Sequence, residues 1–503
     1  MEKLRHWVFW PALVLLGGGV LFTLIGGDPA VGKLNSLARH VTLSLAAPLS
    51  ITAISMLVVC AIVAASPVGG VRLGGPQAEP DLSKWQYFSI SLCTTVAVGI
   101  LFWATAEPLY QYQNPPSSLG IEPESQAAKV FAMSTLLQHW TLIPYSMYAV
   151  PAVLFALMFY NMGQPFRLSS CLYPLLGKWS RRGIGALVDT ICLFALVAGM
   201  AASLGAGILT LGGGLNFLFG LPSQPFLWVV IGVIVVVSFI VSAVSGLQNG
   251  VRVLSDLNTK LFFGIMLMIA FLGPSGDRIA LTVAGVADYV VNLVPRGLLL
   301  QFLPEDSWPL DWTLFYWTNW MAWAPVTALF LGRISKGYTV RQMMAFTLLL
   351  PSLFVTVWMG ILGGAALVME SQTQTLLGKL ADSGPESIIY SILETIPMGG
   401  VLAGLFVLGV FVSYVTAADS NTMAMAGLCW SGISPDSPDP PAKLKILWGC
   451  IVGSLSVIMI CSAGIDGVKA LSNLGGIPAL FFEMACAVSL LLLVMNHKKL
   501  ELK

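Results

Sequence analysis

Twelve stretches of mostly apolar sequence recur along this chain, and no other feature constrains its fold as strongly. A bilayer's hydrocarbon core is crossed by a helix of about 20 residues. Spans are expected at 7–26, 43–65, 87–110, 128–160, 186–210, 226–245, 251–273, 312–332, 342–369, 398–427, 444–463 and 469–495. Composition agrees: 56% of the 503 residues are hydrophobic, 10% are charged, and the mean hydropathy is +0.83. Soluble domains carry about 25% charged residues, so lipid is the main solvent for this surface. The sequence predicts an all-α polytopic membrane protein with twelve transmembrane helices. The first run lacks a convincing small-residue cleavage site and reads as a retained helix.

Between the seventh and eighth spans, 275–303 carries Ile279, Val283, Val286, Val290 and Leu293 at helical spacing. That pattern predicts an amphipathic helix on the membrane surface. With both termini cytoplasmic, 18 Lys and Arg residues fall on the inner side and 7 on the outer, the bias that sets membrane orientation. The net charge of +1 lacks the basic footprint of a nucleic-acid partner. Eight scattered cysteines form no CxxC pair or Cys/His cluster, so no disulfide framework, metal or cofactor is expected. The short tails leave no room for a regulatory extension.

Fifteen tryptophans are many, although membrane proteins collect Trp and Tyr at their interfaces. Two clusters sit well inside their spans. In HWTLIPYSMY, Trp140, Pro144 and Tyr148 follow at i, i+4 and i+8, with Tyr145 beside them. In FYWTNWMAWAP, Trp317, Trp320 and Trp323 step by three before Pro325. Prolines inside spans free backbone groups that need a cavity or a neighbour. A quaternary ammonium offers no N–H donor and is held by aromatic faces, each contact contributing about 0.5–2 kcal/mol. The stripes suit either a cage for such a cation or packing between helices.

Five blocks resemble the betaine/choline/carnitine transporter family: ILFWATAEPLYQYQNPP (100–116), QHWTLIPYSMY (138–148), SGLQNGVRVLSDLN (245–258), DWTLFYWTNWMAWAP (311–325) with FLGRISKG (330–337), and VTAADSNT (415–422). The resemblance implies a LeuT-like fold of two inverted five-helix repeats preceded by two extra helices. The single transporter domain, 1–503, would divide into two N-terminal helices (1–86), a first repeat (87–273), a surface helix and loop (274–311), a second repeat (312–495) and a short cytoplasmic tail (496–503). It also implies a homotrimer in the plasma membrane that carries a small quaternary-ammonium substrate by alternating access. By motif position the substrate box would comprise Tyr110, Trp140, Tyr145, Tyr148, Trp317, Trp320 and Trp323. Asn319 departs from the tryptophan common there. Either a hydroxyl or carboxylate of the substrate reaches this amide, or the cation is smaller or less methylated, or Asn319 bonds a neighbouring helix.

Ionisable residues within spans are functional candidates. Here these are Glu107, Asp419, Glu483 and Lys260, whereas Asp189, Arg252 and Asp256 suit structural ion pairs and His139 suits packing. Sodium-coupled relatives supply hard oxygen ligands that this chain lacks. TTVAVG (94–99) is poor in glycine, no Ser or Thr lies between Thr190 and Ser203, and Ala417 follows Thr416. These losses resemble the family's sodium-independent carnitine/γ-butyrobetaine exchangers, whose seventh-span arginine corresponds to Asn258. Lys260 is a weak substitute, since two residues turn a helix by about 200°. Asn258, Lys260, Thr416 and Asp419 are the coupling candidates. The expected activity is sodium-independent exchange; a sodium- or proton-coupled symporter of betaine, choline or a related osmolyte is the alternative, and a channel or intramembrane enzyme is more remote.

Overall fold

The computed structural model describes residues 4–96, 98–245, 250–274, 276–434 and 439–496. Ala97 of TTVAVG, 246–249 of the SGLQNG block and 497–503 of the tail lie outside them. Fourteen principal helices carry the fold. They are α1 (His6–Ser44), α2 (Ala46–Ala65), α3 (Lys84–Val96), α4 (Gly99–Gln113), α5 (Gln126–Trp140), α6 (Leu142–Ala156) and α7 (Gly183–Phe219). There follow α8 (Pro225–Ser245), α9 (Val251–Leu272), α10 (Arg278–Gly297), α11 (Thr313–Arg333), α12 (Leu350–Thr373), α13 (Gly399–Leu428) and α14 (Ala442–Met495).

Among the described residues, ten helices are long and apolar enough to cross a membrane, and the α3–α4 pair, bent by 55°, makes an eleventh candidate. By length and hydropathy the tally differs from the expected twelve at three helices, and the exact count is not confirmed. The expected spans 7–26 and 312–332 do not qualify, while α10 does. For α11 the reason is its content of Trp, Tyr, Thr and Asn, whose polar atoms lower its hydropathy. It is buried among other helices, so it does not have to be soluble in lipid. α1 is interrupted by a non-helical Gly27. α10 packs on α5 and α12 and leaves Ile279, Val283 and Val290 exposed.

Packing between the two five-helix blocks is reciprocal. The first helix of each lies on the second helix of the other, α4 on α12 and α11 on α6. The third helix of each, α7 or α13, lies on the last spans of the other, α14 or α8 and α9. Each block thus clasps the other. α1 and α2 flank the clasp through α7, α6 and α14. Asp189, fully buried on α7, pairs with Arg5 and accepts the Ser169 N–H at 2.8 Å, fixing the start of α1.

Chain breaks fall where the blocks meet. Thr141 (φ −119°, ψ −117°) separates α5 from α6. Pro144 then occupies the first turn of α6, where a helix's N–H groups have no internal partner to lose. Gly464 (φ 52°) breaks α14, so that Ala442–Ser462 and Ser472–Met495 are separate candidate spans. Where α14 crosses α11, a Cβ on Gly476 would stand 1.9 Å from the Thr318 carbonyl oxygen. Small residues are what allow membrane helices to approach so closely.

Gly476→Ala is therefore expected to force α14 off α11 at a cost of about 1–3 kcal/mol, visible as a lower melting temperature in detergent. Gly264→Ala, with nothing within 4 Å of the added carbon, should leave the melting temperature unchanged or raise it, because alanine favours helix. Equal behaviour of the two variants would refute the close crossing.

Candidate functional site

The break at Thr141 turns the end of α5 and the start of α6 toward α11. Trp320 becomes the hub of an aromatic cluster. Its ring centroid lies 5.2 Å from Trp140 at 83°, 5.7 Å from Tyr148 at 84° and 6.2 Å from Tyr145 at 43°. Edge-to-face contacts of this kind contribute about 0.5–1.5 kcal/mol each beyond area burial. Gly99 makes room for the Trp140 indole: a Cβ there would stand 2.6 Å from the ring.

Behind the rings sits Glu107, fully buried. Its Oε2 accepts from Trp140 Nε1 at 2.7 Å and from the Tyr316 hydroxyl at 2.5 Å. Its Oε1 lies 2.7 Å from His139 Nδ1. An ionised carboxylate only accepts, so the assignment that satisfies all three contacts puts a proton on Nδ1. His139 Nε2 lies 3.1 Å from the Thr313 hydroxyl, and the His139 carbonyl accepts from Trp320 Nε1 at 2.8 Å. One acidic group thus fixes Trp140, Tyr316 and His139 directly and Trp320 through the His139 backbone. The indole N–H groups of Trp140 and Trp320 are engaged with the protein, which leaves ring faces for a ligand.

The cluster borders a cavity of about 50 Å³. Its aromatic walls are Trp103, Trp140, Tyr148, Phe315, Tyr316, Trp320 and Trp323, and its polar walls are Thr95, Ser203, Asn319 and Ser472. No Lys, Arg or ionised carboxylate lines it directly. Asn319 is half-buried, and its Oδ1 accepts from Ser472 Oγ of α14 at 3.0 Å.

Of the residues expected in the box, Trp140, Tyr148, Asn319, Trp320 and Trp323 meet at this cavity. Tyr145 backs Trp320 without reaching the cavity wall. Trp317 is fully buried off the cavity, with its ring edge-on to His139 at 6.0 Å. Tyr110 is half-buried against Trp312 at 5.5 Å, also off the cavity. Helix geometry explains the division on α11. At about 100° per residue, Phe315, Asn319, Trp323, Tyr316 and Trp320 share an arc of about 140°, and Trp317 lies beyond its edge. Steps of three therefore did not mark the cavity face, and Tyr316 was missed with Thr95, Trp103, Ser203, Phe315 and Ser472. The available signal was the i, i+4, i+7 series Tyr316, Trp320, Trp323. Glu107 stood out as a buried charge, and His139 as a packing residue; sequence did not join them to the box.

The coupling candidates are dispersed. Asn258 is fully buried on α9; its amide nitrogen meets Cys93 Sγ at 3.4 Å and its oxygen has no partner. Lys260 is 65% exposed and pairs with Asp256 at 2.6 Å. Thr416 donates its hydroxyl to the Val412 carbonyl of its own helix at 2.6 Å. Asp419 is fully buried and accepts the Ser242 hydroxyl on one oxygen, the other being unpartnered. Arg252 and Asp256 reach Gln86 and Trp85.

The profile of the BCCT, betaine/carnitine/choline family transporters matches residues 7–499. The chain is 30% identical over 444 residues to "Glycine betaine transporter 1" of Vibrio parahaemolyticus serotype O3:K6 (strain RIMD 2210633), covering 86% of this chain and 82% of that one. It is 32% identical over 445 residues to "High-affinity choline transport protein" of Escherichia coli (strain K12), covering 87% of this chain and 64% of that longer protein. It is 29% identical over 476 residues to "Glycine betaine transporter OpuD" of Bacillus subtilis (strain 168), covering 94% and 91%. The helical architecture, the aromatic cavity and a match over nearly its whole length establish that this chain belongs to the betaine/carnitine/choline transporter family.

Proposed function

We propose that this multi-pass membrane transporter carries a small quaternary-ammonium solute of the betaine or choline type by alternating access. The observation that carries the reading is the convergence of Trp140, Tyr148 and Trp320 on one cavity, with both indole N–H groups already bonded to protein. Such a wall holds a methylated ammonium through ring faces. The box also includes Trp323 and Asn319, with Tyr145, Trp317 and Tyr110 as supports around it. The protein works in the plasma membrane as a homotrimer, with both termini cytoplasmic.

Asn319 sets which ammonium is taken. Its carbonyl end is occupied by Ser472, which leaves the amide N–H₂ for an acceptor on the substrate. A hydroxyl or carboxylate oxygen supplies that acceptor. Bonding to a neighbouring helix and contact with substrate are thus two ends of one side chain.

Transport is sodium-independent and runs by substrate exchange. The Thr416 hydroxyl is turned into its own helix, and Ala417 offers no second hydroxyl. Asn258 and Asp419 keep roles in reorientation, as buried polar groups with unpartnered oxygens. Lys260, exposed and paired, stays outside the transport path.

Ligand-induced thermal shifts test the box, since a binder stabilises by RT ln(1 + [L]/Kd). Choline, glycine betaine, carnitine and γ-butyrobetaine form the panel. Trp140→Ala or Trp320→Ala should weaken binding about two- to thirtyfold, each removing a contact of about 0.5–2 kcal/mol, while the protein still purifies as a monodisperse species. Unchanged affinity in both variants would return these rings to plain packing. Asn319→Trp should shift preference toward ligands lacking a hydroxyl, and an unaltered ranking would show that the amide serves helix contact alone. Proteoliposome uptake should need no sodium gradient and should accelerate with preloaded substrate, Thr416→Ala and Lys260→Ala leaving it unaffected. Sodium-driven uptake indifferent to internal substrate would establish symport instead.

A further inference from the structure

The break at Thr141 divides the aromatic box: Trp140 ends α5, while Tyr145 and Tyr148 lie in the first two turns of α6. A broken span frees backbone groups that a neighbour must satisfy. On the carbonyl side that neighbour is a wall of the cavity, since the His139 carbonyl accepts from Trp320 Nε1 at 2.8 Å. On the N–H side α6 has no cap of its own. Thr141 stands at the capping position but donates its hydroxyl backwards, to the Leu137 carbonyl at 2.6 Å.

The group that meets this side comes from outside the box. Tyr289 of α10 is buried, and its hydroxyl oxygen lies 3.1 Å from Thr141 Oγ1. A hydroxyl has one proton to give. That of Thr141 serves the Leu137 carbonyl, so the Tyr289 O–H donates to Thr141 Oγ1. The Tyr289 oxygen is left to accept the Leu142 N–H, the first of α6. Tyr289 itself does not reach the cavity wall.

The seat of α10 holds that hydroxyl in place. Leu281, Gly285 and Tyr289 follow at i, i+4 and i+8 on its buried face. Ahead of the break, a Cβ on Gly285 would collide with Met133 of α5. Beyond the break, a Cβ on Gly297 would stand 3.6 Å from Ile143 Cδ1 of α6. Glycines at such crossings let membrane helices approach closely. α10 therefore touches the chain on both sides of the break, and Tyr289 touches the break itself.

We propose that Tyr289 is a positioning residue for the ammonium box, its hydroxyl pinning the break so that Trp140 and Tyr148 face Trp320 at a fixed angle. These two rings lie edge to face with Trp320 at 5.2 and 5.7 Å, one on each side of Thr141. A change of angle at that residue moves one ring relative to the other. Cation–π attraction requires the cation over a ring face, and a wall held ready before the ligand arrives binds it more tightly than one that must be ordered on binding. Without the hydroxyl the Leu142 N–H loses its acceptor and the break relaxes, so the box loosens although none of its walls has been altered. The inference rests on the proposal that the cavity binds a quaternary ammonium.

Titration calorimetry of the purified full-length protein with choline and glycine betaine, together with uptake into proteoliposomes, tests the pin. Tyr289→Phe keeps the ring and removes the hydroxyl. It should raise Kd and the transport KM about two- to tenfold, the factor that one net hydrogen bond corresponds to, with the maximal rate kept. Thr282→Val removes a hydroxyl that α10 places against Gly360, away from the break, and should leave Kd and KM unchanged. A double-mutant cycle then separates positioning from general loosening. In a Trp140→Ala background Tyr289→Phe should have little further effect on Kd, because the ring it positions is gone. An unchanged Kd in Tyr289→Phe, a change confined to the maximal rate, or independent effects that multiply in the double variant would each overturn the inference. Should Tyr289→Phe fail to fold, Thr141→Val removes the other oxygen of the same bond and carries the same expectations. If neither compound binds the wild type, the quaternary-ammonium reading fails and the pin falls with it, a result distinct from binding that Tyr289→Phe leaves unaltered.

Discussion

The hydrogen bonds that converge on Glu107 hold together the helices that border the aromatic cavity. A buried carboxylate is tolerated only when donors surround it, and here they come from two further helices: Trp140 and His139 from α5, and Tyr316 from α11. α4 and α5 lie in the first five-helix block and α11 in the second, so the acid is a tie across the clasp as well as an orienting group for the rings. Hydrogen bonds to charged groups contribute about 1.5–3 kcal/mol each. The rings of the cage have few other directional restraints, and their orientation depends on this anchor.

The helices themselves were legible because lipid demands long apolar segments, and all but two expected spans satisfy the same test in the folded chain. α11, which falls short of that hydropathy, is instructive. Its Trp, Tyr, Thr and Asn residues lower its hydropathy through their polar atoms, several of them border the aromatic cavity, and a helix enclosed by others is released from the need to dissolve in lipid. The reverse holds for α10, whose exposed valines and isoleucine raise its hydropathy although it packs on α5, α12 and α2.

By itself the sequence determined that this is a helical membrane transporter of a known family, because hydrophobic periodicity and short ordered motifs are local properties of the chain. It also named the cage residues that meet at the cavity, Trp140, Tyr148, Asn319, Trp320 and Trp323. Only the tertiary structure decided that Trp317 and Tyr110 turn elsewhere, that Lys260 faces outward, and that Glu107 rather than a chance packing contact stands behind the box. Which helix face looks inward depends on residues tens to hundreds of positions away: Gly476 against Thr318, Gly99 against Trp140, Glu107 against Tyr316. Spacing along one helix fixes angles within that helix, and it carries no information about which of those angles its partners will cover.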